Sequence, residues 1–159
     1  MNRELSIELL KIQMLNRRIN HQGNGDFREK EVYSSSAKTN YRFLKPALVQ
    51  EFIVVCLDDF FQLYDLAETK GEVAKSFAYF WQTFISIHPF TDGNGRTAKE
   101  YLKLKASEKG LTGNFDRLDQ ISFDSISEGT LKEYCHLFEE LLHETDQEEN
   151  NIQLYSSLS

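Results

Sequence analysis

The stretch His88-Pro89-Phe90-Thr91-Asp92-Gly93-Asn94-Gly95-Arg96-Thr97-Ala98-Lys99 separates two helical patterns, and the fold is read outward from it. Before it, Val73, Phe77, Phe80, Trp81, Phe84 and Ile87 recur at three- and four-residue steps, which predicts a buried, aromatic-faced helix. After it, a run with Tyr101, Leu102, Leu104 and Ala106 predicts a second helix from Thr97 to Lys109, with Gly110 as its C-cap. The amides from Gly93 to Arg96 are the unpaired donors of a helix start, which is an anion site. Gly93 and Gly95 let a ligand approach the backbone closely, and Asn94 adds side-chain donors. Arg96 and Lys99 lie one turn apart and face the same anion. Asp92 would repel a bare phosphate, a conflict that a bridging Mg²⁺ resolves. His88 ends the preceding helix, where the dipole favours a charged ring and raises its pKa. Within reach of a hydroxyl, His88 serves as a general base.

Upstream, Leu5, Leu9, Ile12, Leu15 and Ile19 predict a first amphipathic helix, closed by the glycine-punctuated run Gln22-Gly23-Asn24-Gly25. Arg28 to Phe43 has no helical period. Its arms Val32-Tyr33 and Tyr41-Arg42-Phe43 bracket a small polar tip, so a β-hairpin flap and an irregular surface loop both fit. Pro46 opens a second helix through Leu63, whose apolar residues cover most of its circumference and place it centrally. Beyond Gly110, residues 114–126 read as a loop with a short helix. Thr130 to Leu142 reads as a last amphipathic helix. The expected fold is all-α, a compact helical bundle with a small β-hairpin flap. Residues 1–144 form one domain, with the flap at about 32–43 and the active-site loop at 88–96. Residues 145–159 form an acidic, then polar, tail.

Composition narrows the function. A formal charge of -7 leaves no broad basic surface for nucleic acid, so an anion must find a local positive site. No run approaches the length needed to span a membrane, and Met1-Asn2-Arg3-Glu4 leads straight into a helix, so a soluble cytoplasmic protein is expected. Cys56 and Cys135 sit in apolar helical contexts and read as packing thiols rather than a disulfide. His136 and His143, with Glu139 and Glu140 between them, lack a third convergent ligand and read as a solvated face. No phosphate-loop spacing occurs. A calcium loop starting at Asp92 fails, because Arg96 and Lys103 stand where its fifth and twelfth ligands belong.

The central stretch resembles the Fic family signature, H-P-F-x-[DE]-G-N-G-R-x-x-R, at every specified position but the last, where Lys99 replaces arginine. Gly25-x-x-Arg28, Val32, Phe43 to Pro46, Phe84 to Ile87 and Gly110-Leu111 extend the resemblance over residues 25 to 111. It implies a protein adenylyltransferase that moves AMP from ATP to a Ser, Thr or Tyr hydroxyl of a target protein. His88 would be the base and Asp92 the Mg²⁺ ligand. Gly93, Asn94, Gly95 and Arg96 would hold the phosphates, and Lys99 would stand in for the γ-phosphate arginine. Val32, Tyr33, Tyr41 and Phe43 would clamp the target by strand-like pairing. Lysine keeps the charge of that arginine but loses its planar fork, so weaker γ-phosphate binding is expected. The family's inhibitory pattern, [ST]-x-x-x-E-[GN], is matched by Thr145, Glu149 and Asn150; an acidic terminus without that role fits equally. Transfer of a phosphoryl or other nucleotidyl group stands as an alternative, as does a nucleotide-binding regulatory or toxin-like module without catalysis. The sequence leaves oligomeric state open.

Overall fold

The computed structural model describes residues 3–33, 43–120 and 128–145. Five helices carry the described chain: α1 (Arg3–Ile19), α2 (Val49–Tyr64), α3 (Lys70–Ile87), α4 (Asn94–Glu108) and α5 (Glu128–Leu141). Single 3-10 turns over Pro46–Leu48 and Asp116–Gln120 precede α2 and α5. The all-helical expectation holds.

α3 is the axis of the bundle and packs against α2, α5 and α4, while α1 packs against α4 and α2. The aromatic stripe explains this. Phe77, Phe80 and Phe84 are fully buried and meet rings from three directions: Phe60 of α2, Tyr101 of α4, and Phe138 of α5. Thr69 caps α3, its hydroxyl accepting the Glu72 amide at 3.2 Å. The central place expected of α2 belongs instead to α3. α2 buries only one face, and its Phe52 and Val55 remain 44% and 51% exposed because no element covers that side among the described residues. Pro46 opens the 3-10 turn rather than α2 itself, which begins at Val49.

Two features of the β structure differ from expectation. The strands β1 (Leu111–Thr112) and β2 (His143–Glu144) pair antiparallel, Leu111 opposite Glu144 and Thr112 opposite His143. Each is too short to show an alternating pattern in sequence. Thr145, first residue of the expected tail, continues the contact by donating its amide to Gly110 O at 3.1 Å. The flap is described only at its base, where the Phe43 amide donates to Val32 O at 3.3 Å and ties the two arms together. Tyr41 lies outside the described residues, as do Glu149, Asn150 and the last stretch of the expected short helix near Ile126.

Candidate active site

The loop between α3 and α4 is built by three devices. α3 ends because His88 takes a left-handed backbone (φ 52, ψ 64) while its amide still donates to Phe84 O at 2.9 Å. Such a conformation is costly for a side chain other than glycine and is held here by its surroundings. Asn94 then closes the loop on itself. Its Oδ1 accepts the Phe90 amide and its Nδ2 donates to Phe90 O, both at 2.8 Å, with Phe90 buried as an anchor. The Asn94 side chain thus commits its oxygen and one of its two N–H donors to the loop. Gly93 caps α4 at φ 78, where a Cβ would stand 3.2 Å from Ile19 and 3.3 Å from Asn16. The glycine is a demand of the fold itself.

From outside the loop, α1 contributes Asn16, which is buried and donates to Asp92 O at 2.9 Å and to the Thr97 hydroxyl at 3.2 Å. Arg28 is the second outside support. It is buried, and its Nε donates to His88 O at 2.5 Å while Nη2 donates to Ile87 O at 3.1 Å. Nη1 donates to Lys30 O at 2.8 Å and Nη2 also to Leu44 O, while the Arg28 amide donates to Pro89 O at 2.9 Å. One guanidinium thus joins both arms of the flap to the end of α3. Sequence reasoning placed Arg28 only within a resembling pattern and missed Asn16. The signal for Asn16 was present, since it continues the stripe Leu5, Leu9, Ile12 by one helical step.

These supports frame a pocket of about 300 Å³ lined by His88, Thr91, Asp92, Gly93, Asn94, Gly95, Arg96, Lys99 and Asp119. Every motif residue expected to bind a nucleotide or metal lies on its wall. A pocket of about 1040 Å³ elsewhere lies beside the β1–β2 pair and has no residue of the motif on it. It includes Thr145, the first residue of the candidate inhibitory pattern. Val32 and Tyr33 are at the flap base, with Tyr33 exposed and its hydroxyl donating to Glu31 at 3.3 Å.

The His88 ring is stacked by Phe43, centroids 3.9 Å apart and planes 14° apart. Its Nδ1 is buried without a hydrogen-bond partner. Burial holds the imidazole down, to about 4; Arg28 adds to this, while the Ile85 backbone and Asp92 act the other way. The expectation of a raised pKa is corrected, because burial under Phe43 outweighs the helix dipole. The ring is consequently neutral near pH 7, the form that can accept a proton. Arg96 Nη2 lies 3.4 Å from Asp92 Oδ2, both side chains mostly exposed, whereas Lys99 Nζ lies 2.6 Å from Asp119 Oδ2. Asp119 comes from the turn before α5, and nothing in its sequence context marked it.

A histidine and a cationic helix start thus line one pocket of an all-helical bundle. The sequence model of the Fic/DOC family matches residues 6–104, and the chain belongs to that family. No curated protein sequence matches it. Among solved structures, the BepC effector protein of Bartonella tribocorum, crystallised with AMPPNP, is 16% identical with a TM-score of 0.73, over 87% of this chain and 75% of that one. The N-terminal Fic domain of a VirB-translocated Bep effector from Bartonella quintana is 16% identical with a TM-score of 0.71, over 94% and 76%. A Fic domain from the same organism with bound ADP is 15% identical with a TM-score of 0.66, over 90% and 85%. These likenesses share the fold. The nucleotides belong to the BepC protein and to the ADP-bound domain.

Proposed function

We propose that this chain is a protein adenylyltransferase, transferring AMP from ATP to a Ser, Thr or Tyr hydroxyl of a target protein. The observation that carries this reading is the Phe43-stacked His88 imidazole on the wall of a pocket whose floor is the N-terminus of α4. The target hydroxyl attacks the α-phosphorus while its proton passes to His88, the bond to pyrophosphate breaks, and AMP stays on the target oxygen. The backbone of Gly93, Asn94 and Gly95 and the side chain of Arg96 hold phosphate oxygens, so catalysis is positioning and charge stabilisation. Asp92 fits a magnesium ligand. Its exposed carboxylate reaches the pocket, and no group of three metal-binding side chains exists among the described residues, so phosphate oxygens would complete the shell. The ion would neutralise charge on the phosphates.

Val32, Tyr33, Tyr41 and Phe43 serve the target, with Arg28 fixing the flap base relative to His88. The formal charge of -7 disfavours nucleic acid as a partner, and no helix among the described residues is long and apolar enough to cross a membrane. A second reading, a nucleotide-binding module with impaired transfer, is favoured by one observation: Lys99 is already paired with Asp119.

Incubation with ATP labelled at the α- or the γ-phosphate in a host lysate separates these readings. Label retained from α alone supports adenylylation, from γ alone a kinase, and from neither a binding role. His88→Ala should reduce transfer at least about a hundredfold, the usual scale for a lost base; labelling that persists in that variant removes the mechanism. Glu149→Gly should raise transfer if the C-terminal pattern is inhibitory. Equal turnover in the two proteins would leave it as an acidic terminus only.

A further inference from the structure

Both cations of the pocket face a carboxylate, and the two pairs differ in kind. Arg96 and Asp92 are 3.4 Å apart with side chains 59% and 69% exposed, a loose pair that a ligand opens readily. Lys99 and Asp119 are 2.6 Å apart, the Lys99 side chain 11% exposed and that of Asp119 67%, which makes a short charge-assisted bond whose ammonium is sheltered and whose carboxylate meets solvent. Asp119 is held there by its turn, since Phe115 and Leu118 on either side of Asp116 are fully buried and the Leu118 amide donates to Phe115 O at 3.1 Å.

We propose that Asp119 sets the nucleotide preference of this pocket: by holding Lys99 it takes the place of a terminal phosphate, so that a nucleoside diphosphate binds as well as a triphosphate. This rests on the nucleotide reading above. A phosphate entering at the Gly95 and Arg96 amides meets free backbone donors and an arginine released from its loose partner. A phosphate further along the chain meets an ion pair of no net charge, with the Asp119 carboxylate repelling it.

Calorimetric titration with ATP and with ADP, each in excess magnesium, tests this on the full chain, Asp119→Asn, and Asp119→Asn combined with Lys99→Ala. The unaltered chain should bind ATP and ADP within about threefold of each other. Asp119→Asn should tighten ATP roughly five- to tenfold and leave ADP within twofold, because only the longer phosphate chain reaches the freed ammonium. The double variant should lose that gain. Unchanged ATP affinity in Asp119→Asn, or equal tightening of both nucleotides, overturns the proposal while leaving the nucleotide site intact. Failure of both nucleotides to bind any of the three proteins removes the nucleotide reading and this proposal with it. Asp119 is exposed, so circular dichroism of the variant should match the unaltered chain.

Discussion

Arg28 shows how much of this site depends on a residue that touches no reactant. Its guanidinium holds the carbonyls of Ile87 and His88 on one side and those of Lys30 and Leu44 on the other. Five fixed donors make this possible, and a single ammonium cannot span the same four acceptors. The left-handed His88 backbone is one of the things so held. Arg28→Lys should therefore cost about 2–4 kcal/mol in urea unfolding, the net worth of one or two charge-assisted bonds with buried acceptors left over. It should also loosen the flap base, read as faster amide exchange at Phe43. An unchanged unfolding midpoint would show that the carbonyls find other partners and that Arg28 is dispensable. Asn94 teaches a related lesson. Its type and place in the motif were legible, but its side chain is used on Phe90, since a tight loop must satisfy its own backbone before it can serve a ligand.

At the scale of elements, α1 is tied to α4 by charge as well as by apolar packing. Glu8, buried on the core face of α1, accepts from Lys105 Nζ at 2.9 Å, from Lys11 at 2.9 Å, and from the Tyr101 hydroxyl. Burial alone would raise the Glu8 carboxyl, but those three donors prevail and hold it below its ordinary value. Tyr64 of α2 joins the network through Lys105 O and Glu108, each at 2.8 Å. Glu8→Gln would leave the Lys105 ammonium, 3% exposed, with Glu108 at 3.1 Å as its one remaining carboxylate. The expected loss is about 2–4 kcal/mol, below the full cost of orphaning a buried charge because that partner stays. Glu108→Gln, on a side chain 49% exposed, should cost under about 1 kcal/mol. Equal losses in urea unfolding would contradict the ranking. None of this was read from the sequence, because a helical period marks apolar faces and is silent on which polar residues lie within them.

Taken whole, the fold was legible wherever long periodic runs carried it: the aromatic stripe of α3, the apolar face of α4, and the amphipathic faces of α1 and α5. Illegible parts depend on contacts between distant residues. The pairing of β1 with β2, the Lys99–Asp119 bond and the Phe43 cover on His88 span from 20 to 45 positions, and no local pattern encodes them. The burial of His88 has a consequence for the entire molecule. An ordinary histidine titrates near 6.5, but this one is held to about 4, with Arg28 and Asp92 the charged groups facing it. As pH falls below 6.5 the unfolded chain takes up a proton that the folded chain refuses, so stability declines between pH 6.5 and 4 and this contribution levels off below. The size is up to about 3 kcal/mol, from 1.36 kcal/mol per unit of displacement. Glu8 acts with the same sign in a lower window: its stabilisation is complete above its ordinary value of 4.5 and is lost as pH falls through its lowered folded value. The acid limb of stability should thus begin about two units before the carboxylates titrate. Thermal midpoints measured from pH 7.5 to 4.5 should fall in the unaltered chain, whereas His88→Gln should flatten that span and keep the steeper loss below it. A midpoint constant from pH 7 to 5 in the unaltered chain would mean that His88 is solvated and titrates at its ordinary value, so that burial under Phe43 does not hold its pKa down.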